Sequence, residues 1–323
     1  MDLKFVTIVL TLCLVKAGNS FDELEILKNN VQTLISNFKT MQTNYNQLQS
    51  KYVRLEEVQQ LNSQYCKYSV DRFCGPCICK DDFSLPKKYY CDCRNQSPQR
   101  DCLAHRHNGM SIDGYYTVTM NGYRMTQVYC DQTTSGGGWT VIQRRMDGSV
   151  NFFREWKDYR RGFGHLHHEF WQGNDDIHLL TKQAMNNSEL MIQMKIQHLN
   201  ILFTNRYSHF NVLDEENRYQ LEVAGPSGNL NPKFFTQFQH NQRFSTWDWP
   251  HDGADPFVSC ASKHQFAGWW INGSSNNCTG YEAAAHNLNG PYDAFRTRKW
   301  YQRINYYFKY HPYFTEIKVR RKL

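Results

Sequence analysis

The chain has 323 residues, enough for one domain of above-average size plus an extension, and its 40% hydrophobic and 15% aromatic content can supply a sizeable core. The formal net charge of +7 indicates a soluble, mildly basic surface, with attraction to acidic glycans or membranes as the alternative. No run of Lys and Arg is long enough to indicate binding to nucleic acid, so we expect no nucleic-acid partner.

Residues 1–17 have the pattern of a secretory signal peptide. A charged start, MDLK, precedes the apolar run FVTIVLTLCLV and small residues around Ala17. The run is too short to span a bilayer, and no other stretch approaches about 18 apolar residues. We therefore predict a secreted, extracellular protein without membrane insertion.

Residues 22–64 are predicted to form an α-helical coiled coil. Apolar residues recur alternately three and four positions apart, in a segment without Gly or Pro. We expect two or three parallel copies of the protein to associate through this seam as a homo-oligomer. A single amphipathic helix folded back on the globe is the alternative. The seam residues are Leu24, Leu27, Val31, Leu34, Phe38, Met41, Tyr45, Leu48, Tyr52 and Leu55.

Residues 66–98 are interpreted as a cysteine-rich linker. The six cysteines from Cys66 to Cys93 indicate disulfides in an exported protein. Zinc binding by C-x-x-C is the weaker alternative, because no second such pair completes four ligands. Spacing does not fix the pairing, so bridges within one copy and between copies both stay open.

The stretch VYCDQTTSGGGWTVIQRR, within residues 128–145, predicts two strands joined by a glycine-rich turn that requires positive φ. Beyond it, Phe152, Trp156, Tyr159 and Phe163 are three and four positions apart, which predicts a short helix with buried rings. The later segments LMIQMKIQ and YSHFNVLDEENRYQLEV alternate as exposed antiparallel strands do.

No catalytic motif is present: the sequence lacks G-x-S-x-G, H-E-x-x-H and the P-loop, so we predict that the protein is not an enzyme. The segment GHLHHEF places His165, His167 and His168 next to Glu169. Histidines on a surface turn are more often solvated than metal ligands, and we interpret them so.

The segment CDQTTSGGGWTVIQRRMDGSVNFFREWKDYRRGFG, followed by HEFWQGNDDIHLLT, resembles the signature of the fibrinogen C-terminal globular domain. The resemblance continues through FSTWDWPHDG, SCASKHQFAGWW and NLNGPY to TEIKVRRKL. It implies an α+β fold with an antiparallel central sheet over residues 99–323. It also implies disulfides between Cys102 and Cys130 and between Cys260 and Cys278.

The resemblance implies a calcium loop, D-x-D-x-D, at residues 248–252. Asp252 matches its last carboxylate, whereas Pro250 replaces the middle one and offers no side-chain oxygen. Asp248, Asp252 and Asp255 are the candidate ligands for calcium, the one cofactor expected, and a rigid proline turn is the alternative.

In ficolin-like and tachylectin-like members, a pocket for N-acetyl groups lies beside the second disulfide. Its usual His corresponds to Thr279 here. Trp269, Trp270 and Tyr281 are candidates for a hydrophobic wall, although the two tryptophans are equally typical of packed core. Four N-x-S/T sequons predict glycosylation at Asn95, Asn186, Asn272 and Asn277.

Two functions fit this organisation. The first is an oligomeric secreted recognition protein of innate defence that binds carbohydrate or other microbial surface ligands, and we favour it. The second is an angiopoietin-like signalling or matrix ligand for a cell-surface receptor protein. The seam would serve either one, because several linked copies raise the apparent affinity of weak sites.

Overall fold

A computed structural model describes residues 21–62, 66, 74–82, 84–85, 87–196, 201–252, 260–261, 268–272, 287–290 and 312–322. The predicted signal peptide lies outside these residues. So do Asp255, Asn277, Cys278, Thr279 and Tyr281. The protein forms two compact units, one up to Tyr65 and one from Cys66 onward. Within the described residues, no helix is both long and apolar enough for a transmembrane span.

The described residues of the first unit form one helix, α1, at Phe21–Asn62. Its length follows from a segment without Gly or Pro, whose residues mostly have good helix propensity. The predicted seam residues Leu34 and Leu48 are each 66% exposed along it. The helix of the prediction is therefore present, and its association with further copies stays a prediction.

Besides a two-stranded sheet of β11 and β12, the second unit contains a large sheet in the order β1-β2-β3-β4-β5-β13-β8-β9-β10, in which β7 pairs with β5 and β6 pairs with β7. Its neighbours are antiparallel except for β2 and β3, which pair in parallel at Asp92 and Tyr115. The strands are β1 Ile78–Asp81, β2 Tyr89–Asp92, β3 Gly114–Met120, β4 Arg124–Asp131, β5 Trp139–Arg145, β6 Phe163–Gly164, β7 Phe170–Trp171, β8 Ser188–Ile196, β9 Leu202–Val212, β10 Leu221–Gly228, β11 Phe244–Ser245, β12 Trp269–Trp270 and β13 Pro312–Arg321.

Short helices accompany the sheet, so this unit has the predicted α+β composition. They are α2 Cys102–His107, α3 Trp156–Arg161, α4 Asn174–Gln183 and α5 Pro232–Gln239. Helix α2 begins after Asp101 because this residue is its N-cap. The Asp101 side chain accepts a hydrogen bond of 2.7 Å from the Ala104 amide.

The last strand, β13, lies in the middle of the sheet, between β5 and β8. Both of its neighbours pair with it along most of its length. This insertion buries its side chains almost continuously from Thr315 to Val319. The sheet core is therefore closed by the C-terminal segment of the protein.

The glycine-rich turn has the predicted geometry. Strands β4 and β5 pair antiparallel, and φ is 91° at Gly136, 74° at Gly137 and 76° at Gly138. A side chain on Gly137 would clash with the Gln132 carbonyl oxygen. Glycine is required here for two reasons, the positive φ and the close backbone approach.

The aromatic segment after this turn is buried as predicted, but its helix is shorter than the spacing suggested. Only Trp156 and Tyr159 lie on α3, whereas Phe152 precedes the helix and Phe163 belongs to β6. Edge-to-face contacts bring the rings together: Phe163 lies 4.9 Å from Phe152 and 5.0 Å from Tyr159, between centroids.

The prediction of exposed alternating strands is wrong for β8. Its residues are buried at nearly every position, because β13 and β9 flank it and helix α4 packs on the sheet beside it. When a strand is covered on both faces of its sheet, neither set of side chains faces solvent, so buried and exposed residues do not alternate along it.

The cysteine-rich segment belongs to the same unit as the globe. Three bridges within one copy, Cys66–Cys79, Cys74–Cys91 and Cys77–Cys93, use all six of its cysteines. None of the six is left to join two copies or to bind zinc. The open alternative of bridges between copies is thereby excluded for this segment, and the fourth bridge, Cys102–Cys130, is the one that the resemblance implied.

Candidate binding cavity

A cavity of about 470 Å³ lies between the β1–β2 hairpin and strands β4, β5 and β13 of the central sheet. The hairpin side contributes Leu85, Lys87, Tyr89, Tyr90 and Cys91. The sheet and its loops contribute Ser111, Ile112, Asp113, Tyr129, Thr133, Arg144, Met146, His167, Phe314 and Glu316. Its volume falls in the ordinary range of ligand pockets, about 300–1,000 Å³.

The hairpin is fixed over the sheet by covalent and ionic contacts. The bridges Cys74–Cys91 and Cys77–Cys93 anchor the C-terminal end of β2. Beside them, the Asp92 carboxylate accepts hydrogen bonds from the guanidinium of Arg94, at 2.7 and 2.6 Å, and pairs with Lys80 at 2.9 Å. The hydrogen bonds from Arg94, and then those from Lys80, hold the pKa of Asp92 well below its usual range.

Arg144 forms the polar floor of the cavity. Its Nε donates to Glu316 Oε2 at 2.7 Å, and its guanidinium lies 4.2 Å from the centroid of the Tyr129 ring. Lys318 is also buried, and it pairs with Glu316 at 2.7 Å and with Asp131. The floor is therefore a charge network in which each buried charge has an opposite neighbour.

The pKa shifts in this network follow from its pairing. Burial alone would raise the pKa of Glu316, but the charges of Arg144 and Lys318 hold it below its usual value. Burial alone would lower the pKa of Lys318, but Glu316 and Asp131 raise it. Each of these groups is therefore charged at neutral pH, as is Arg144.

Asp113 gives the rim a second carboxylate. Its oxygens accept hydrogen bonds from the Gln132 amide at 2.7 Å and from Thr133 Oγ1 at 3.0 Å. Burial and the nearby charge of Asp131 raise its pKa. With Lys87 exposed on the hairpin side, the cavity offers aromatic walls and charges of both signs.

His167 and His168 lie beside this cavity and are not the solvated side chains of our interpretation. Their side chains are 22% and 16% exposed. The Nε2 of His167 lies 3.0 Å from Asp82 Oδ2, and the Nε2 of His168 lies 3.7 Å from the same oxygen. The burial of both rings results from the approach of the β1–β2 hairpin, which the sequence pattern did not reveal.

Glu169 has a structural role. It is completely buried, and its carboxylate accepts amide hydrogen bonds from Met146 at 2.8 Å, Gly148 at 3.0 Å and Val150 at 3.0 Å. Its contact with Arg145, at 3.3 Å, balances the charge. The carboxylate organises the turn after β5, and it is not a partner of the histidines.

The predicted calcium ligands that the structure describes fit calcium poorly. The Asp248 carboxylate is directed at the Trp156 amide, at 3.1 and 3.3 Å, and Asp252 Oδ2 accepts from the Ala261 amide at 2.8 Å. Between them, the His251 ring packs edge-to-face against Trp156, with centroids 5.3 Å apart. Two carboxylates already engaged by backbone amides are a weak set for an ion that takes 6–8 oxygens. Asp255 lies outside the described residues, so calcium binding stays a prediction.

Trp269 and Trp270 form β12, and they belong to the core. They are 0% and 2% exposed, and the Trp270 indole donates to the Tyr219 carbonyl at 2.8 Å. Trp270 also packs edge-to-face on Phe244, with centroids 5.3 Å apart. A hydrophobic wall built from them is corrected to core packing. Successive side chains of a strand point to opposite faces, and both faces are covered here, because Phe244 packs on Trp270 and Phe235 lies 6.3 Å from Trp269, between centroids. Thr279 and Tyr281 are not among the described residues.

The remaining predicted positions are distributed over the surface and the core. Asn95 and Asn186 are exposed, Asn272 is half-buried, and Asn277 lies outside the described residues. Cys260 is buried and disulfide-bonded, and its predicted partner Cys278 is likewise outside them.

Sequence reasoning missed the residues that line the cavity. Glu316 and Lys318 alternate with Ile317 and Val319 on a strand, a weak signal of a buried charge network. Nothing in that pattern pointed to Arg144, which is 172 positions away.

This protein is similar to known proteins in sequence and in fold. The family model for "Fibrinogen beta and gamma chains, C-terminal globular domain" matches residues 98–320. Rat tenascin-R is 37% identical over 230 residues, which cover 69% of this protein and 15% of tenascin-R. The match therefore corresponds to a small part of that relative.

Two solved structures are similar to the globe. The fibrinogen-like globe of human ANGPTL2 has a TM-score of 0.60 and 32% identity, over 69% of this protein and 99% of that one. Lamprey fibrin D-dimer, complexed with the peptide ligand Gly-His-Arg-Pro-amide, has a TM-score of 0.58 and 26% identity, over 90% and 94%.

Proposed function

The protein belongs to the family of C-terminal globular domains found in the fibrinogen beta and gamma chains, and from this membership we propose that it is a non-enzymatic extracellular binding protein whose globe engages a protein or peptide ligand. Homologues in this family suggest extracellular ligand binding in general. Our proposal is more specific in three respects: the ligand is a protein or peptide, the protein acts outside the cell, and several copies associate.

Disulfide chemistry supports an extracellular site of action. Four bridges are formed within the described residues of the second unit. Such bridges persist in oxidising compartments and are rare where thiols are kept reduced. The signal-peptide pattern of residues 1–17 supports the same compartment.

The observation that carries the proposal is the cavity at the β1–β2 hairpin. Tyrosine rings supply contact area with little rotamer entropy to lose, and Lys87 and Asp113 supply polar contacts at its rim. A lining of both charge signs suits a peptide, which carries cationic, anionic and apolar side chains together. The peptide complex of the lamprey relative supports this ligand class.

The exposed seam of α1 supports presentation in several copies. Large apolar residues such as Phe38 and Met41 are 50% and 62% exposed along the helix. Association of these faces would bury them and bring several globes together. Linked sites of this kind gain roughly two to four orders of magnitude in apparent affinity.

Recognition of acetylated or other microbial glycans in innate defence is the competing proposal. It loses its proposed wall, because Trp269 and Trp270 are core residues. We therefore place the protein-ligand proposal first.

The experiment uses the full-length protein, secreted and fluorescently labelled, on cultured cells and on acetylated-sugar beads. We expect binding to cells that is lost after surface proteins are removed with trypsin, and no retention on the beads with or without a calcium chelator. The variant Lys87→Glu, at the cavity rim, should bind at least about tenfold more weakly, whereas Lys182→Glu on the exposed surface of α4 should bind as the parent does.

Trypsin-resistant cell binding together with retention on sugar beads would replace the protein-ligand proposal with the glycan one. Absence of binding to both would contradict the binding function itself. Equal binding by Lys87→Glu and the parent protein would remove the cavity from the proposal.

A further inference from the structure

The geometry points to a Zn²⁺ site formed by Asp82, His167 and His168, which would join the disulfide-rich hairpin to the globe. Ligand atoms from these three residues all lie within 4.8 Å of one another, and within the described residues this is the only such group of His, Cys, Asp and Glu. The inference goes beyond the proposed function, since it concerns an ion and not the ligand of the cavity.

The distances match a zinc centre. Bonds of about 2.0–2.2 Å in a tetrahedron place neighbouring ligand atoms about 3.3 Å apart. The Asp82 Oδ2 lies 3.0 Å from Nε2 of His167 and 3.7 Å from Nε2 of His168. The two imidazole centroids are 4.7 Å apart, at an interplanar angle of 57°, so both rings face the same carboxylate without stacking on each other.

His167 is held by two contacts that leave its Nε2 directed at Asp82. Tyr90 stacks on the ring, with centroids 5.0 Å apart and planes 7° apart. The Tyr115 hydroxyl contacts Nδ1, the second ring nitrogen. A polar group at the second nitrogen is the usual means of fixing the tautomer and orientation of a metal-binding histidine.

His168 and Asp82 have supporting groups of the same kind. The Nδ1 of His168 is buried without a hydrogen-bond partner, and Asp147 Oδ2 lies 4.0 Å from it. The Ser84 hydroxyl contacts Asp82 Oδ1 and lies 2.7 Å from His168 Nε2. On binding of the ion, this hydroxyl would remain with Asp82 and release the nitrogen.

Two imidazoles and one carboxylate favour Zn²⁺ over Ca²⁺, which takes oxygen ligands. Three protein ligands leave a fourth position for water. Because Asp82 follows β1 and the two histidines lie between β6 and β7, the ion would be a cross-link between segments that the described disulfides do not connect to each other.

The test uses the full-length protein, made without a polyhistidine tag and stripped with a chelator. Titration with Zn²⁺ alone, followed by calorimetry, should give one ion per molecule at micromolar or tighter affinity. Thermal unfolding at a hundredfold excess over Kd should then show a Tm increase of about 5–10 °C over the chelator-treated protein.

The variants are His168→Gln and Asp82→Asn, with His165→Gln as the matched control. His165 is exposed in the same turn, and its ring centroid lies 6.0 Å from that of His167. Loss of a ligand should weaken Zn²⁺ binding at least about tenfold and abolish the Tm increase. The control should bind as the parent does. Lys87→Glu should also keep the ion, which separates this result from that of the ligand experiment.

Each variant is compared with the parent in chelator, so that a general loss of stability is recognised from the metal-free Tm. Parent affinity weaker than micromolar would overturn the inference. Equal zinc binding by His168→Gln, Asp82→Asn and the parent would overturn it as well, since the ion would then lie elsewhere.

Discussion

Arg144 on β5 donates a 2.7 Å hydrogen bond to Glu316 on β13, and each side chain is about nine-tenths buried. The pair joins the middle of the sequence to its C-terminal strand, and Lys318 and Asp131 extend it. Of these side chains, Arg144 and Glu316 line the cavity. Stability of the sheet and shape of the candidate site therefore depend on one network.

Removal of Glu316 should destabilise the globe strongly. In Glu316→Ala, Arg144 loses its carboxylate partner and Lys318 keeps only Asp131, and breaking a buried pair in this way costs about 3–5 kcal/mol. Urea unfolding followed by tryptophan fluorescence measures the loss. Glu155→Ala is the control, since its pair with Lys157 is largely exposed and its loss should leave the free energy of unfolding nearly unchanged. Similar losses in both variants would contradict the role of the network.

The globe should lose stability in acid below about pH 4.5. The charges of Arg144 and Lys318 lower the pKa of Glu316 from an ordinary 4.5, and the charge of Lys318 lowers the pKa of Asp131 from an ordinary 3.8. Between the ordinary and the folded pKa, the unfolded state binds more protons than the folded state, so the stabilisation is complete above the ordinary values and decreases as pH falls. Urea unfolding from pH 7 to pH 3 measures this. A stability that stays constant over this range would show that the two carboxylates are not coupled to folding.

Gly137→Ala should destabilise the turn between β4 and β5 by about 2 kcal/mol or more, because φ is 74° and the new methyl group would meet the Gln132 carbonyl. Gly122→Ala is the matched control. Its φ is 78°, but no atom lies within 4 Å of the added carbon, so it should cost only about 1 kcal/mol. The difference in Tm between the two variants measures the cost of the contact with the Gln132 carbonyl. Equal Tm values would show that this contact does not destabilise the protein.

If the protein associates through the α1 seam as predicted, replacement of Leu34 and Leu48 by Lys should give a monomer while the globe stays folded. Two cations in an apolar seam would be desolvated without partners. Sedimentation gives the mass, and near-ultraviolet circular dichroism reports the fold of the globe. Ser36→Lys with Ser50→Lys adds the same charges away from the seam and should remain oligomeric. A multimer in the leucine variant would assign association to another surface.

Disulfide mapping should find only bridges within one copy between Cys66 and Cys93. Digestion without reduction, followed by mass spectrometry, should return the pairs Cys66–Cys79, Cys74–Cys91 and Cys77–Cys93. Denaturing electrophoresis should then give the same mass with and without reductant. A dimer that appears only without reductant would contradict this pairing.

Local patterns of the sequence determined the features that depend on neighbouring residues. The heptad repeat predicted α1, and the glycine run predicted the turn between β4 and β5. Composition predicted an aromatic core. These succeed because helix period, positive φ and strand alternation are properties of a few consecutive residues. The long motif around that turn was also sufficient to identify the family.

Tertiary structure decided which distant residues meet. Ser84 and His168 are 84 positions apart, and Arg144 and Glu316 are 172 apart. The pairing of six cysteines, the burial of β8 and the placement of Trp269 and Trp270 in the core depend on sheet order in the same way. A short window carries no information on which strands become neighbours, because that choice minimises exposed apolar surface over the whole protein. The cavity and the Asp82–His167–His168 cluster therefore emerge only when the hairpin is packed against the sheet.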